Sequence, residues 1–493
     1  MVTSNLAFKE KNSIEPEVVV NESPVKWCAV ALSDVVARGK RLEASVFDVE
    51  AKQARATVVN GKYKWHALGG KDGLIQNAYY PGRFKRIYCD KRTGEAFYLP
   101  SQMAEVYPKS EKYISALTKC DISELRLKPN TLLLTRSGTI GTVSLVSKTT
   151  QGKVYSDDVI RVSFNEVYDT GFIYTFLKSK TGSKILTTNG YGSVITHLEP
   201  EHLATVPIPD APTMLKKKIH DLIVRSYELR DESNDLIDQA TALLIGELKL
   251  PDIDAFDVGL YKKAAPVDTF SVRLSEMSGR LDASYHVPIV DAIIEHLKRY
   301  AEEVTTVGDP RISREVILPG RFKRVYVDEG YGRVLIGGKQ LSELDPSSKK
   351  YLSTAKHDKM LKKLEVHEGT TLITRSGTIG KIAIVPKHWE HYIPSDHIIR
   401  VIPANKDIAG YLNIFLASDY GKALITRFTY GSVVDEIDDN HVRQIAIPLL
   451  KNHEVQKRIN DLALEANEKR YQAYLLEQEA LQIMDRDVIY AKK

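Results

Sequence analysis

The chain has 493 residues, 43% of them apolar and 27% charged, with a net charge of +5 at pH 7. That length is too great for one ordinary core and predicts two or three domains; the charge permits nucleic-acid binding without demanding it, so the placement of the basic residues matters more than their sum. Cys28, Cys89 and Cys120 are scattered, which excludes a disulfide framework and a cysteine zinc site and fits a reducing cytoplasm, and no apolar run approaches the ~18 residues that span a bilayer.

Residues 1–26 read as a disordered lead-in without the basic-then-apolar pattern of a secretion signal. Past it, the chain is one unit written twice. PGRFKRIYCD at 81–90 returns as PGRFKRVYVD at 319–328, and TRSGTIG at 135–141 returns unchanged at 374–380. RLEAS at 41–45 pairs with RLDAS at 280–284, SDDVIRV at 156–162 with SDHIIRV at 395–401, and YGSV at 191–194 with YGSV at 430–433. The offset stays between 238 and 240 residues, the length of a domain rather than of a solenoid repeat. Two copies of one fold in one chain predict packing about an approximate two-fold axis.

The first copy's mixed part spans 27–212. Within it, 131–146 reads as strand, glycine turn and strand, and 171–187 as helical. A long helix follows over 213–250, with Ile219, Leu222/Ile223, Ser226, Leu229, Ser233, Leu236/Ile237, Ala240 and Leu243/Leu244 spaced alternately by three and four. Residues 251–270, rich in Pro, Gly and Asp, break that helix and link the copies. The second mixed part, 271–452, repeats the strand pair at 371–385 and the helical stretch at 410–426; the closing helix, 453–493, carries Val455, Ile459, Leu462, Ala466, Ala473, Leu476, Ala480 and Ile483. The fold class is α+β: a tandem pseudo-two-fold repeat of a mixed domain plus a long helix, the two helices pairing as an antiparallel coiled coil because each long stripe needs a partner, the alternative being that each packs on its own domain.

The repeated motifs supply the candidate binding residues. Arg83, Lys85 and Arg86, with Arg321, Lys323 and Arg324, follow a Pro-Gly turn and can present charge to a phosphate backbone. If the segment is a strand, alternation sends Arg83 and Lys85 to one face and Arg86 to the other. Arg136-Ser137 and Arg375-Ser376 stand at the glycine turn, where a guanidinium either forks onto a guanine edge or a phosphate or pairs locally while the glycines turn the backbone. Tyr191 and Tyr430 sit in Gly- and Ser-flanked loops, able to contact sugars or bases or to pack on their own domain. Ser101-Gln102 and Lys339-Gln340 follow short β-like runs in matching places and read as specificity candidates or as plain surface. His202 and His441 lack metal-spaced partners and read as core or cap histidines, and Asp157, Asp158 and Asp396 as cap or turn residues. Lys381 follows Ile379-Gly380, yet the Gly-x4-Gly-Lys-Ser/Thr pattern of a phosphate loop is absent.

In order and twice over, the glycine turn within a strand pair (132–146, 371–385), the Tyr-Gly-Ser motif before a Pro-ending strand (191–209, 430–448) and the closing long helix resemble the specificity subunits of type I restriction–modification systems. The resemblance covers nearly the whole chain after the lead-in. It implies two target-recognition domains held apart by antiparallel helices, each reading one half of a split target in double-stranded DNA. It also implies docking of two methyltransferase subunits, and it leaves the joining of restriction/translocase subunits open. A helix of about 34 residues is ~50 Å long, which sets half-site centres roughly 10 to 15 base pairs apart. The two copies are unusually alike for this family, so similar half-sites are expected. No Pro-Pro pair is present for a base methyltransferase motif, no phosphate loop for a motor and no nuclease carboxylate–lysine spacing, so no catalytic residue, cofactor or metal is assigned and chemistry falls to the partners. The rival reading is a stand-alone sequence-specific DNA-binding regulator or defence sensor.

Overall fold

A computed structural model describes residues 29–37, 44–70, 73–138, 140–188, 190, 196–256, 270–277, 279–431 and 433–492. The lead-in, the opening of RLEAS, Tyr191 and most of the link between the copies lie outside the described residues. Two compact units result: one of residues up to Ala104, Pro108–Glu228 and Leu475 onward, the other of Glu105–Tyr107 and Leu229–Tyr474. Each unit thus combines one copy's mixed part, the opening of that copy's long helix and the closing part of the other copy's helix.

In unit 1, strands Ile75–Tyr79, Val159–Phe164, Leu132–Thr135 and Val143–Leu145 lie in that order in an antiparallel sheet. Leu132–Thr135 is buried throughout and Val159–Phe164 is buried but for Ser163, the near-continuous apolar run of a strand covered on both faces. The Gly turn joins the inner strand to its edge neighbour, with Leu132 opposite Leu145. A second sheet orders Tyr88–Cys89, Lys112–Ser115, Gly94–Tyr98 and Val154–Tyr155, the last pair parallel. The Pro-ending strand Pro207–Pro209 pairs with Trp65–Ala67.

Unit 2 repeats both sheets. Ser313–Ile317, Ile398–Pro403, Thr371–Thr374 and Ile382–Ile384 form one, and Tyr326–Val327, Lys350–Ser353, Gly332–Ile336 and Ile393–Pro394 the other. Among the described residues, the four-residue helix Ile122–Leu125 is matched by the eleven-residue helix Thr354–Leu364, and the short helical turn Lys387–Trp389 has no helical counterpart in unit 1.

The central strand of each first sheet buries an arginine. Arg161 donates to the carbonyls of Val159, Tyr155, Leu125 and Ser156 at 2.6, 2.9, 3.1 and 3.3 Å, and Arg400 donates to that of Pro394 at 2.9 Å. Burial pulls each guanidinium down to about 10, which still leaves it charged at neutral pH. Carbonyls thus meet both terminal nitrogens of Arg161 but only one of Arg400, whose Nε and other Nη stay buried without a partner.

The expected helical stretches form, each in two pieces. Val167–Lys178 is buried from Asp169 through Leu177, and Lys180–Thr187 restarts after Ser179, whose Oγ accepts from Gly182 N–H at 3.0 Å. Lys406–Ala417 and Asp419–Thr426 break the same way at Ser418. The long helices Thr213–Glu247 and His453–Ile483 dock where these helices carry a glycine. A Cβ on Gly171 would lie 2.8 Å from the Cα of His220, and one on Gly410 would lie 2.3 Å from the carbonyl of Asn460. In that space the Gly171 amide donates to His220 Nδ1 at 3.2 Å and the Gly410 amide to Asn460 Oδ1 at 2.8 Å. Burial lowers the His220 imidazole below its usual range, in keeping with a neutral ring that accepts.

Along the helical stripes, Ile219, Ile223, Ser226, Leu229, Ser233, Ala240 and Leu244 are buried in the first helix, and Ile459, Leu462, Ala466, Ala473, Ala480 and Ile483 in the second. Unit 1 places Ile219 and Ile223 in one core with Ala480, Ile483 and Met484. Unit 2 places Ala240 and Leu244 in one core with Ile459 and Leu462. The start of each helix thus shares a core with the end of the other, the antiparallel order. Within unit 2, Lys469 meets Glu232 at 2.6 Å and Arg470 donates to Ser233 Oγ at 2.8 Å.

Candidate nucleic-acid interface

The turn after Leu132–Thr135 needs backbone that L-residues avoid. Gly138 and Gly141 take φ of 78° and 82°, and their repeats Gly377 and Gly380 take 74° and 79°, so the glycines of TRSGTIG serve the turn itself. Its arginine faces inward. Arg136 is 5% exposed; it donates to Glu199 Oε1 at 2.6 Å and lies over the Tyr80 ring at 4.2 Å. Burial disfavours its charge, but the Glu199 carboxylate and the Tyr80 hydroxyl outweigh burial and hold the guanidinium above its ordinary range. Ser137 donates to Asp158 Oδ1 at 2.9 Å and lies 3.2 Å from His197 Nδ1.

The Pro-Gly-Arg-Phe-Lys-Arg segment comes to the adjacent aspartate in the chain, Asp157. It is unpaired in any sheet until Tyr88 in unit 1 and Tyr326 in unit 2, so the strand considered for it does not form. Its exposure alternates all the same: Arg83 and Lys85 face solvent while Arg86 is half-buried. Arg86 donates to Asp157 Oδ1 at 2.6 Å and Ser156 Oγ at 3.0 Å, with its guanidinium 5.4 Å over the Phe97 ring. In unit 2, Arg321 and Lys323 are exposed and Arg324 pairs with Asp396. One cation of each motif is thus an anchor, and two are left facing water on a segment the anchor fixes.

Around the second turn the partners change. Arg375 pairs with Glu436 and donates to the Ile437 carbonyl at 3.1 Å, and Ser376 Oγ lies 2.5 Å from His397 Nδ1. Glu436 stands at the position of His197 in the repeat, and His397 at that of Asp158.

Of the remaining candidates, Lys339 is exposed on the short turn Gly338–Ser342. Tyr430 is 41% exposed, with its backbone paired both ways to Glu436 and its ring 5.4 Å from that of His441. Ser101 is exposed, but Gln102 and Gln340 turn inward, each amide oxygen accepting at 2.9 Å from the backbone of Leu99 or Gly337. His202 and His441 are caps: each Nδ1 accepts from the first residue of its short helix's entry, Glu199 at 3.1 Å and Asp438 at 3.3 Å. Lys381 reaches Glu105 at 3.1 Å within unit 2. Reasoning from sequence missed Glu199, Glu436, His197 and His397 as members of the site, and took Asp157, Asp158 and Asp396 for simple turn residues. The in-register return of SDDVIRV as SDHIIRV was the available signal. Among the described residues one group could hold a metal, His367, Glu390 and His391, and it includes none of the turn or basic-motif residues.

Residues 345–462 match the family model of the type I restriction modification DNA specificity domain. The stretch takes in the second glycine turn, Asp396, His397, Tyr430 and the opening of the closing helix. No curated protein sequence matches the chain. Among solved structures, it is similar to the S subunit of a type I restriction-modification system from M. genitalium, at 13% identity and a TM-score of 0.33, covering 87% of this chain and 96% of that one. It is also similar to the HsdS subunit from Thermoanaerobacter tengcongensis, at 12% identity and a TM-score of 0.26, covering 87% and 98%. Likenesses at these scores bear no weight beside the matched domain. No helix among the described residues is long and apolar enough to cross a membrane.

Proposed function

We propose that this chain, which carries a type I restriction modification DNA specificity domain over 345–462, is the DNA-reading specificity subunit of a methyltransferase complex and performs no chemistry itself. Each unit reads one half of a split target in double-stranded DNA, the two long helices set the gap between the halves, and two methyltransferase subunits dock on the chain, with restriction subunits joining where the system has them.

One observation carries the reading. The same anchored segment occurs in both units, with Arg86 or Arg324 tied to the acid that opens the central strand and with Arg83, Lys85 or Arg321, Lys323 free to meet phosphates. Backbone contacts of this kind position a protein on a duplex without reading its sequence. Base reading is assigned to Lys339 and Tyr430, which are exposed, and to Tyr191, which lies outside the described residues. Arg136, Ser137, Arg375 and Ser376 act indirectly, by holding the turn through their pairs.

Co-expression with a cognate methyltransferase, followed by sequencing of modified bases, tests this. A split motif that disappears when the chain is deleted is the expected outcome. A stable complex with no motif would overturn it in favour of a regulator or sensor. Lengthening both long helices by one turn should widen the spacer by about one or two base pairs, and an unchanged spacer would remove the ruler from the proposal.

A further inference from the structure

Unit 2 holds a cluster that unit 1 lacks. His367 lies in the loop after helix Thr354–Leu364, and Glu390 and His391 lie in the loop before strand Ile393–Pro394. One ligating atom from each falls within 4.8 Å of the other two. His367 Nδ1 is 2.6 Å from Glu390 Oε1, His391 Nδ1 is 3.0 Å from Glu365 Oε2, and the two imidazole rings stand 5.7 Å apart at 85°. The backbone already fastens the loops together: His391 N–H donates to the Val366 carbonyl at 2.9 Å and Val366 N–H to that of Tyr392 at 3.0 Å. Both histidine side chains are well over half exposed, at 59% and 58%, so an ion in solution can reach them.

A second observation is independent of the clustering. His391 has a φ of 65°, in the left-handed region that costs an L-residue and that glycine enters freely. At the matching position the first copy has Gly152, with a φ of 77°. The repeat positions of His367 and Glu390 are Lys128 and Gln151, neither a usual metal ligand in this setting. The second copy therefore replaces an apt glycine with a histidine in an unfavourable conformation, beside a second histidine and a carboxylate that the first copy also lacks. Strain kept at one of two otherwise matching sites points to a task for the side chain.

We propose that His367, Glu390 and His391 form a binding site for a divalent transition-metal ion of the zinc or nickel class. Two imidazoles and a carboxylate are the donor set such ions accept, and three protein ligands leave a fourth position for water. Ligand bonds of about 2.0–2.2 Å require the exposed side chains to close by roughly an ångström, with the ion taking the place of the His367–Glu390 contact. The ion ties the loop after Thr354–Leu364 to the loop before Ile393–Pro394, and its binding does not depend on whether the chain reads DNA.

The test is zinc chloride titrated into the metal-stripped full-length chain, read by equilibrium dialysis and by melting temperature. The parent should bind one ion at this site with a rise in Tm of a few degrees. His367→Ala and His391→Gly should each weaken that binding by at least ~10-fold. His391→Gly restores the residue of the first copy, so its metal-free form should melt no lower than the parent, which separates loss of a ligand from loss of the fold. His453→Ala, which removes an exposed histidine beside Glu302, should leave binding unchanged. Absence of zinc binding at micromolar concentrations, or binding that survives both His367→Ala and His391→Gly, overturns the proposal.

Discussion

At one place the copies solve one electrostatic problem with the charges exchanged, and at a second an acid and a histidine trade positions. Glu95 and Arg126 pair at 3.2 Å in unit 1; in unit 2 their positions are held by Arg333 and Glu365, which also pair. Beside the glycine turn, unit 1 has Asp158 and His197 where unit 2 has His397 and Glu436. Coulombic attraction depends on the product of the charges, so a pair tolerates reversal provided both members change. Other positions do not exchange. Arg86 and Arg324 both meet an aspartate at matching positions, and Arg136 and Arg375 both meet a glutamate, although Glu199 matches Asp438 and Glu436 matches His197 in the repeat. There the planar fork of a guanidinium, held against an acid and, for Arg136, an aromatic face, supplies geometry that a reversed pair would not. The contrast separates what the fold needs as charge from what it needs as shape.

Removing a member of an unexchanged pair should do the most damage. Arg136→Ala leaves Glu199 without its closest cation and strips the Tyr80 face, at an expected cost of ~3–5 kcal/mol. Hydrogen exchange of strand Leu132–Thr135 would report it locally, and protection retained at the parent level would show that the turn does not rest on this pair. Next come the exposed cations. Arg83→Ala with Lys85→Ala should weaken duplex binding about tenfold and lower the slope of log K against log salt by about 2, as loss of two phosphate contacts requires. Arg321→Ala with Lys323→Ala should do the same, because the two segments are matched in exposure and anchoring. A loss from one copy alone would break the equivalence of the copies on DNA.

Much of this architecture was legible before any coordinates, and the reason is periodicity. The duplication, the glycine turns, the helical stripes through Ile219, Ala240, Ile459 and Ala480 and the histidine caps all leave marks within a short window. The site was less legible, because its partners are far apart in the chain: Arg136 finds Glu199 and Arg375 finds Glu436, 63 and 61 residues on. Nothing local says that Arg86 turns inward while Arg83 and Lys85 do not, since no sheet imposes that alternation. Gln102 and Gln340 read as surface candidates because a capping role depends on a turn the sequence does not announce. Within the His367–Glu390–His391 group, nothing in the sequence marks His391; its backbone conformation beside that of Gly152 does.

The exchanged positions sharpen the comparison at lower energies. Asp158→His alone removes the acceptor of the Ser137 hydroxyl and an acid 3.6 Å from Arg136, at about 1 kcal/mol. Adding His197→Glu gives both positions the residues of unit 2, and over half of the loss should return. A double-mutant cycle measures this coupling, and additive effects would mean that the exchange is coincidental.

The smallest effect belongs to the outer pair. Glu95→Arg sets two arginines together, but the Glu95 and Arg126 side chains are 41% and 44% exposed, so solvent screens them and only a few tenths of a kcal/mol should be lost. Glu95→Arg with Arg126→Glu should recover it. The mirror change in unit 2, Arg333→Glu, should cost more, because those side chains are 22% and 12% exposed and Glu365 also receives His391. Equal costs in the two units, measured by thermal unfolding in low and high salt, would mean that burial does not grade the pair and that sign exchange is free wherever it occurs. A larger cost in unit 2 that salt fails to diminish would place the difference in burial, where screening by mobile ions is weakest.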